Sequence, residues 1–491
     1  MKAKIIHTSV VFVVTIAAAF LCSSVPCSLS NKCFADDSAS EQAEALFQQA
    51  QKLCNDDGKP EDVDKVVALY RQAAELGHLE AQYFYGSCFY NGEGVKQDYA
   101  KAVEWYRKSA EQGFADAQRM LGYCYFNGKG VQENKAEAAQ WYRNAAKKGN
   151  IVAQVNIGDC YYYGTGVAEN KAEAVKWYLK AAEKGEPMGQ NMLGLCYMEG
   201  QGVPQNAKEA VKWWTKAAQQ GLANAQFSLG SAYMLGAGVK MNKKEGIKWF
   251  KNAAKQGELD AIAALGVCYL QGIGVKQDFT KAVKYLRKAA EKGHSRAQCE
   301  LAACYYNGDG VKQDYEKAVE WYLKAAQQGD PTAQYYLGDC YSLGVGVPEN
   351  IEEAVKWIQK AAEQGFPKAQ LELGFAYITG KGIEMNLEEG FKWFQKAADQ
   401  GELKAITALG VCYLRGEGVP VDQTKGIELL NKAADQGDLD AIAALGWFYY
   451  SGELVPKDKA KGIELLRKAA KKGHFRAKEL LKDIESAKDE Q

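Results

Sequence analysis

The chain has 491 residues, with 61 Lys and Arg balanced by 61 Asp and Glu, and 47% of its residues are hydrophobic. Zero formal charge argues against an electrostatic nucleic-acid binder or a polybasic membrane patch. The length alone suggests about three domains, but an internal period makes one quasi-linear array the better description.

The amino terminus differs from everything that follows. Lys2 and Lys4 precede IIHTSVVFVVTIAAAFL, and small residues come next, which is the anatomy of a secretory signal. Residues 1–35 are therefore expected to be a signal peptide and processing region, with cleavage after Ala19, Ser24, Cys27 or Ala35. A retained anchor is the alternative, although this stretch of 17 residues falls short of the roughly 20 that span a bilayer. No second apolar run of spanning length follows. The expected destination is the periplasm or the exterior, or the endoplasmic reticulum lumen in a eukaryotic host.

After a short lead at 36–44, a unit of 36 residues repeats twelve times over 45–476. The segment NGEGVKQDYAKAVEWYRKSAEQG at 91–113 returns at 307–329 with 18 of 23 positions identical, and glycines from Gly77 to Gly473 recur at steps of 36. Within a unit, Ala81, Tyr85, Cys88 and Phe89 show the spacing of a short amphipathic helix. A turn with glycines at the columns of Gly92 and Gly94 follows, and glycine tolerates the positive φ of a sharp reversal. Asp98 then starts a second helix as its N-cap, in a column that holds only Asp or Asn from Asp62 to Asp458. Each Asn is followed three residues on by Glu, as in Asn134 with Glu137, and each Asp by Lys, as in Asp98 with Lys101. Asn with Glu is expected to form a capping box.

The second helix carries a bulky pair, Trp105 with Tyr106 and its copies, then alanines such as Ala145 and Ala146. One unit cannot cover so much aromatic surface, so neighbours must stack on it. The pattern from Ala117 to Gly149, with Leu121, Gly122, Tyr125, Gly128, Gly130, Trp141 and Tyr142, resembles the Sel-one-like repeat family, relatives of the tetratricopeptide repeats. That resemblance implies an all-α, right-handed α-solenoid superhelix of helix-turn-helix repeats, with scaffold or adaptor roles and no shared chemistry. Residues 477–491 fit a capping helix with a polar outer side.

Eight of the 13 cysteines fall in one column, Cys88, Cys124, Cys160, Cys196, Cys268, Cys304, Cys340 and Cys412. Packed helices lie about 8–10 Å apart, beyond disulfide reach for same-column residues, so these read as buried small apolar groups. His78, His294 and His474, each directly after a repeat glycine, read as surface turn residues. No HExxH, GxSxG or Walker loop occurs after the signal region. No catalytic residue, metal site or cofactor is expected.

Three columns of the first helix vary freely between units and share one face. In tetratricopeptide-like solenoids that face is concave. The expected partner-binding residues are Tyr83, Arg119, Tyr123, Asp159, Asn191, Phe227, Tyr335, Asp339, Phe375 and Trp447. Their apolar and aromatic content suits a peptide or helix. The expected function is a non-enzymatic extracytoplasmic scaffold whose partners are extracytoplasmic or membrane proteins. The alternative is a cell-wall-related hydrolase, or a protein binding β-lactam or peptidoglycan ligands, as the secreted branch of the resembled family suggests.

Overall fold

The structure is a computed structural model that describes residues 37–55 and 62–489, and these hold 25 helices and no strand. The expected signal region at 1–35 lies outside the described residues. The chain divides into two compact units at Met241/Asn242. Unit 1 contains α1 (Asp37–Asn55), α2 (Val63–Glu75), α3 (Leu79–Asn91), α4 (Tyr99–Glu111), α5 (Ala115–Asn127), α6 (Lys135–Lys147), α7 (Ile151–Tyr163), α8 (Lys171–Glu183), α9 (Pro187–Glu199), α10 (Ala207–Gln219) and α11 (Ala223–Leu235). Unit 2 contains α12 (Lys243–Lys255), α13 (Leu259–Gln271), α14 (Phe279–Ala290), α15 (Ser295–Asn307), α16 (Tyr315–Gln327), α17 (Pro331–Leu343), α18 (Ile351–Glu363), α19 (Pro367–Thr379), α20 (Leu387–Asp399), α21 (Leu403–Arg415), α22 (Gln423–Asp435), α23 (Leu439–Ser451), α24 (Lys459–Lys471) and α25 (Phe475–Asp489). Odd-numbered helices are the A helices of the repeat and even-numbered ones the B helices. The segment expected to be a short lead is mostly helical, because α1 already begins at Asp37.

The hairpin of α5 and α6 shows how the sequence builds a repeat. Ala117, Leu121 and Cys124 on α5 are completely buried against α6. Tyr142 lies flat on Gly122, where even a methyl group would come within 2.8 Å of its ring. Such close packing is why a one-methylene change is felt in a core. The turn needs its glycines: Gly128 and Gly130 sit at φ 65° and 72°, and a Cβ on Gly130 would strike the Tyr99 carbonyl of the preceding repeat at 2.2 Å.

The B helices start where the Asp/Asn column places them. Asn134 Oδ1 accepts the Glu137 N–H at 3.1 Å, and Asp98 accepts from Lys101 at 3.1 Å. The expected capping box does not form. The N–H of Asn134 already donates to the Tyr125 carbonyl at 2.9 Å, and that of Asn170 to Tyr161 at 2.8 Å, so the Glu side chain has no donor to fold back upon. It reaches forward instead, as in Glu173 to Lys176 at 2.9 Å. In three of the Asp-capped repeats the third residue pairs with the cap itself, as in Lys317 with Asp314 at 2.6 Å. The cap-dependent choice of Glu or Lys thus balances charge over the first helical turn.

Successive repeats are joined by a glutamine ladder. Gln82, Gln118, Gln154, Gln190, Gln298, Gln334 and Gln370 are buried, and each donates through Nε2 to an alanine carbonyl ending the preceding B helix, as in Gln118 to Ala110 at 3.0 Å. In five rungs the Oε1 accepts from a glutamine 30 residues later, as in Gln328 to Gln298 at 2.7 Å. Lys148 and Lys184 occupy that donor position for Gln118 and Gln154, but they turn to the Gly113 and Gly149 carbonyls. The Oε1 atoms of Gln118 and Gln154 are left without a partner.

Candidate functional site

With the repeat columns locked into hairpins and joints, the surface that differs from repeat to repeat lies on the A helices. Residues four apart on these 13-residue helices share a face. The column of Ser87, Tyr123, Asp159, Leu195 and Ser231 in unit 1, continued in unit 2 by Val267, Ala303, Asp339, Phe375, Val411 and Trp447, has no fully buried member. It is the most accessible of the three variable columns.

The column of Tyr83 is different. Val155, Ala263, Cys299, Leu371, Thr407 and Ala443 are buried there, packed toward the next repeat. The polar members find local partners. Arg119 faces Asp116 at 3.9 Å, and Thr407 donates to Asp438 at 3.2 Å. Tyr83 packs edge-on against Phe114 at 5.4 Å and Tyr335 lies tilted against Phe366 at 5.3 Å, so both serve the inter-repeat joint as well as the surface. Asn191 is half-buried and its Oδ1 has no protein partner among the described residues. In the third column Tyr162 and Leu414 are buried and the rest are half-buried.

The ten expected contact residues are spread over eight A helices. Tyr83, Arg119, Tyr123, Asp159, Asn191 and Phe227 lie on α3 to α11 of unit 1, half-buried. Tyr335 and Asp339 on α17, Phe375 on α19 and Trp447 on α23 belong to unit 2; Phe375 is 42% exposed and the other three are half-buried. They form an extended strip in each unit rather than a convergent pocket.

Two carboxylates in the accessible column are electrostatically unusual. Asp159 accepts a 2.6 Å hydrogen bond from the Tyr178 hydroxyl, yet burial, aided by Glu186, pushes its carboxyl up to about 6. Asp339 is likewise pushed up to about 6 by burial and by the charge of Glu372, against the pull of Tyr335 and Lys368. Such shifts mark candidate functional sites as well as structural networks.

The histidines are not idle turn residues. Nδ1 of His78, His294 and His474 caps the following A helix by accepting from Ala81, Ala297 and Ala477. Nε2 of each reaches a carboxylate of the preceding A helix, Glu44, Asp260 and Asp440, at 2.8, 3.0 and 2.9 Å. The column cysteines are buried free thiols, and burial pushes Cys124 and Cys160 up to about 12. Among the described residues no group of three or more His, Cys, Asp or Glu could hold a metal ion, and no helix is long and apolar enough to cross a membrane.

The glutamine ladder and the histidine clasps escaped the reading of columns one at a time. The ladder has a signal: Gln pairs 30 residues apart at 82/112, 190/220, 298/328, 334/364 and 370/400.

No curated protein matches the chain. Among solved structures it resembles the protective antigen c5321 of uropathogenic Escherichia coli strains, which displays an SLR fold. The two are 36% identical over 86% of this chain and 90% of that one, with a TM-score of 0.66. It also resembles a Sel1 repeat protein from Oxalobacter formigenes, 34% identical over 50% of this chain and 96% of that one, with a TM-score of 0.46. The Sel1 repeat pattern matches twelve consecutive segments, beginning with 41–78 and 79–114 and ending with 439–474. Repeats of this kind generally serve as protein–protein interaction scaffolds. With the pattern running unbroken from residue 41 to 474, the chain belongs to the Sel1 repeat family.

Proposed function

We propose that the protein is a non-enzymatic, extracytoplasmic scaffold that binds other extracytoplasmic or membrane proteins along the A-helix face. One observation carries this reading: the accessible A-helix column changes its side chain in nearly every repeat, while the A-helix columns of Ala117 and Leu121 stay buried and vary little. Tyr123 in unit 1 and Phe375 and Trp447 in unit 2 give this face in each unit the aromatic character of protein contact surfaces. Among the described residues, the buried thiols and carboxylates are scattered over separate helices and supply no nucleophile with an adjacent base. The signal-like amino terminus supports export, and the E. coli relative's description as a protective antigen agrees with it.

The test is affinity capture from the host's own envelope or lumen extract. Wild type is compared with a folded Tyr123→Ala, Phe227→Ala, Phe375→Ala, Trp447→Ala variant. A protein retained by the parent and lost by the variant supports the reading. Identical retention by both, or none by either, removes it.

A further inference from the structure

Tyr336 on α17 and Phe375 on α19 are large side chains that consecutive A helices of unit 2 leave exposed, at 38% and 42%, with Leu343 at the end of α17 exposed as well. Each rests one side on a B-helix ring: Tyr336 stacks on Tyr322 at 5.7 Å, and Phe375 meets Phe394 edge-on at 4.9 Å. The other side of each ring has no aromatic neighbour on the next A helix. Asp339, three residues from Tyr336 on α17, and Glu372, three residues from Phe375 on α19, lie near enough for the Glu372 charge to raise the Asp339 carboxyl. Neither forms an ion pair within the structure; Lys368 and Lys404 are exposed and act on them only from a distance. Glu300 on α15 flanks the same face, its one cationic neighbour the exposed Arg296 at 3.9 Å. Burial and the neighbouring Asp330 keep its carboxyl above the usual range.

Resting on the scaffold reading above, we propose that the α17–α19 face of unit 2 takes a basic amphipathic segment of a partner protein. Its apolar side chains cover Tyr336 and Phe375, and a Lys or Arg enters between Asp339 and Glu372. Charge complementarity selects this occupant. An acidic segment would add a third negative charge to two carboxylates that already repel each other, and a purely apolar one would bury both without a counter-charge. A cation beside exposed ring faces is favourable in its own right. Because Asp339 is neutral below about pH 6, the face loses one of its charges on acidification.

The test uses the full chain and two fluorescein-labelled peptides of 18 residues, one an amphipathic Leu/Lys helix and the other its Leu/Glu counterpart, in fluorescence anisotropy at pH 7.5. The Leu/Lys peptide is expected to bind at least tenfold tighter than the Leu/Glu peptide. Asp339→Asn with Glu372→Gln should cost about tenfold, and lowering the pH to 5 should cost wild type severalfold but this variant clearly less. A control with the same charge change on the B helices, Glu316→Gln with Glu352→Gln, should bind like wild type, and circular dichroism melts confirm that all forms are folded. Equal binding of the two peptides, or an equal loss in the control, overturns the proposal. Tighter binding of the Leu/Glu peptide that Tyr336→Ala and Phe375→Ala abolish would overturn the basic occupant while leaving the A-helix scaffold standing.

Discussion

The hairpin of α7 with α8 in unit 1 and that of α21 with α22 in unit 2 fill the same space with different residues. In the first, Tyr178 lies on Gly158, a methyl there would come within 2.6 Å of the ring, and Ala174 completes the floor. In the second, Leu430 replaces the tyrosine over Gly410, and Gly426 replaces the alanine. Leu414 then drops into the vacated volume and becomes fully buried, with its Cγ 2.7 Å from where a Cβ on Gly426 would be. Backbone spacing is held by the A-helix glycine, the turn glycines and the caps, and the core composition is exchangeable so long as total volume is kept.

The largest expected effect comes from emptying the unit 1 solution. Tyr178→Ala removes a completely buried ring and should cost about 3–5 kcal/mol, measured by urea unfolding. The loss should show first as faster hydrogen exchange in α7 and α8, because repeats contact only their neighbours.

The comparison is sharpened by forcing the unit 1 solution onto unit 2. Leu430→Phe overfills the α21–α22 hairpin and should cost about 1–3 kcal/mol. Adding Leu414→Ala should recover part of that loss. Additive losses in the double variant would show that the two residues do not share one volume.

Unit 1 also contains a pH-dependent weakness. The Asp159 carboxyl is raised to about 6 in the fold, against roughly 3.9 in an unfolded chain. The folded state therefore holds the proton more strongly, so stability is greatest below about pH 4 and declines as pH rises through about 6. Asp159→Asn should flatten that decline and gain on the order of 1 kcal/mol at pH 7.5, read from thermal melts at pH 4.5 and 7.5.

The smallest effect concerns the joints. Lys148→Gln and Lys184→Gln supply the missing donors to Gln118 and Gln154 and should each stabilise by about 0.5–1.5 kcal/mol. Gln328→Lys, which breaks an intact rung in unit 2, should cost a similar amount.

Much of this was legible in the sequence because it is local and recurs. Glycines at fixed offsets, the Asp/Asn caps and the cysteine column each announce a conformation within a few residues, and twelve copies fix the period. What lay between repeats was harder. Capping by His78 needs Ala81, three residues away, but its clasp needs Glu44 on another helix. The capping box failed because the Tyr125 carbonyl, nine residues upstream of Asn134, takes the N–H it required. The candidate surface was legible as a face but not as a degree of exposure. Val155 and Tyr83 occupy the same column, yet Val155 is buried and Tyr83 is half-buried, a difference made by the neighbouring repeat.

The most direct test of an A-helix binding face is hydroxyl-radical footprinting of the chain with and without its captured partner. Binding along that face predicts protection of Tyr123, Tyr336, Phe375 and Trp447, with B-helix residues such as Trp105 and Trp321 unchanged. Protection confined to the B-helix tryptophans, with the four A-helix side chains as reactive as in the free protein, would contradict it.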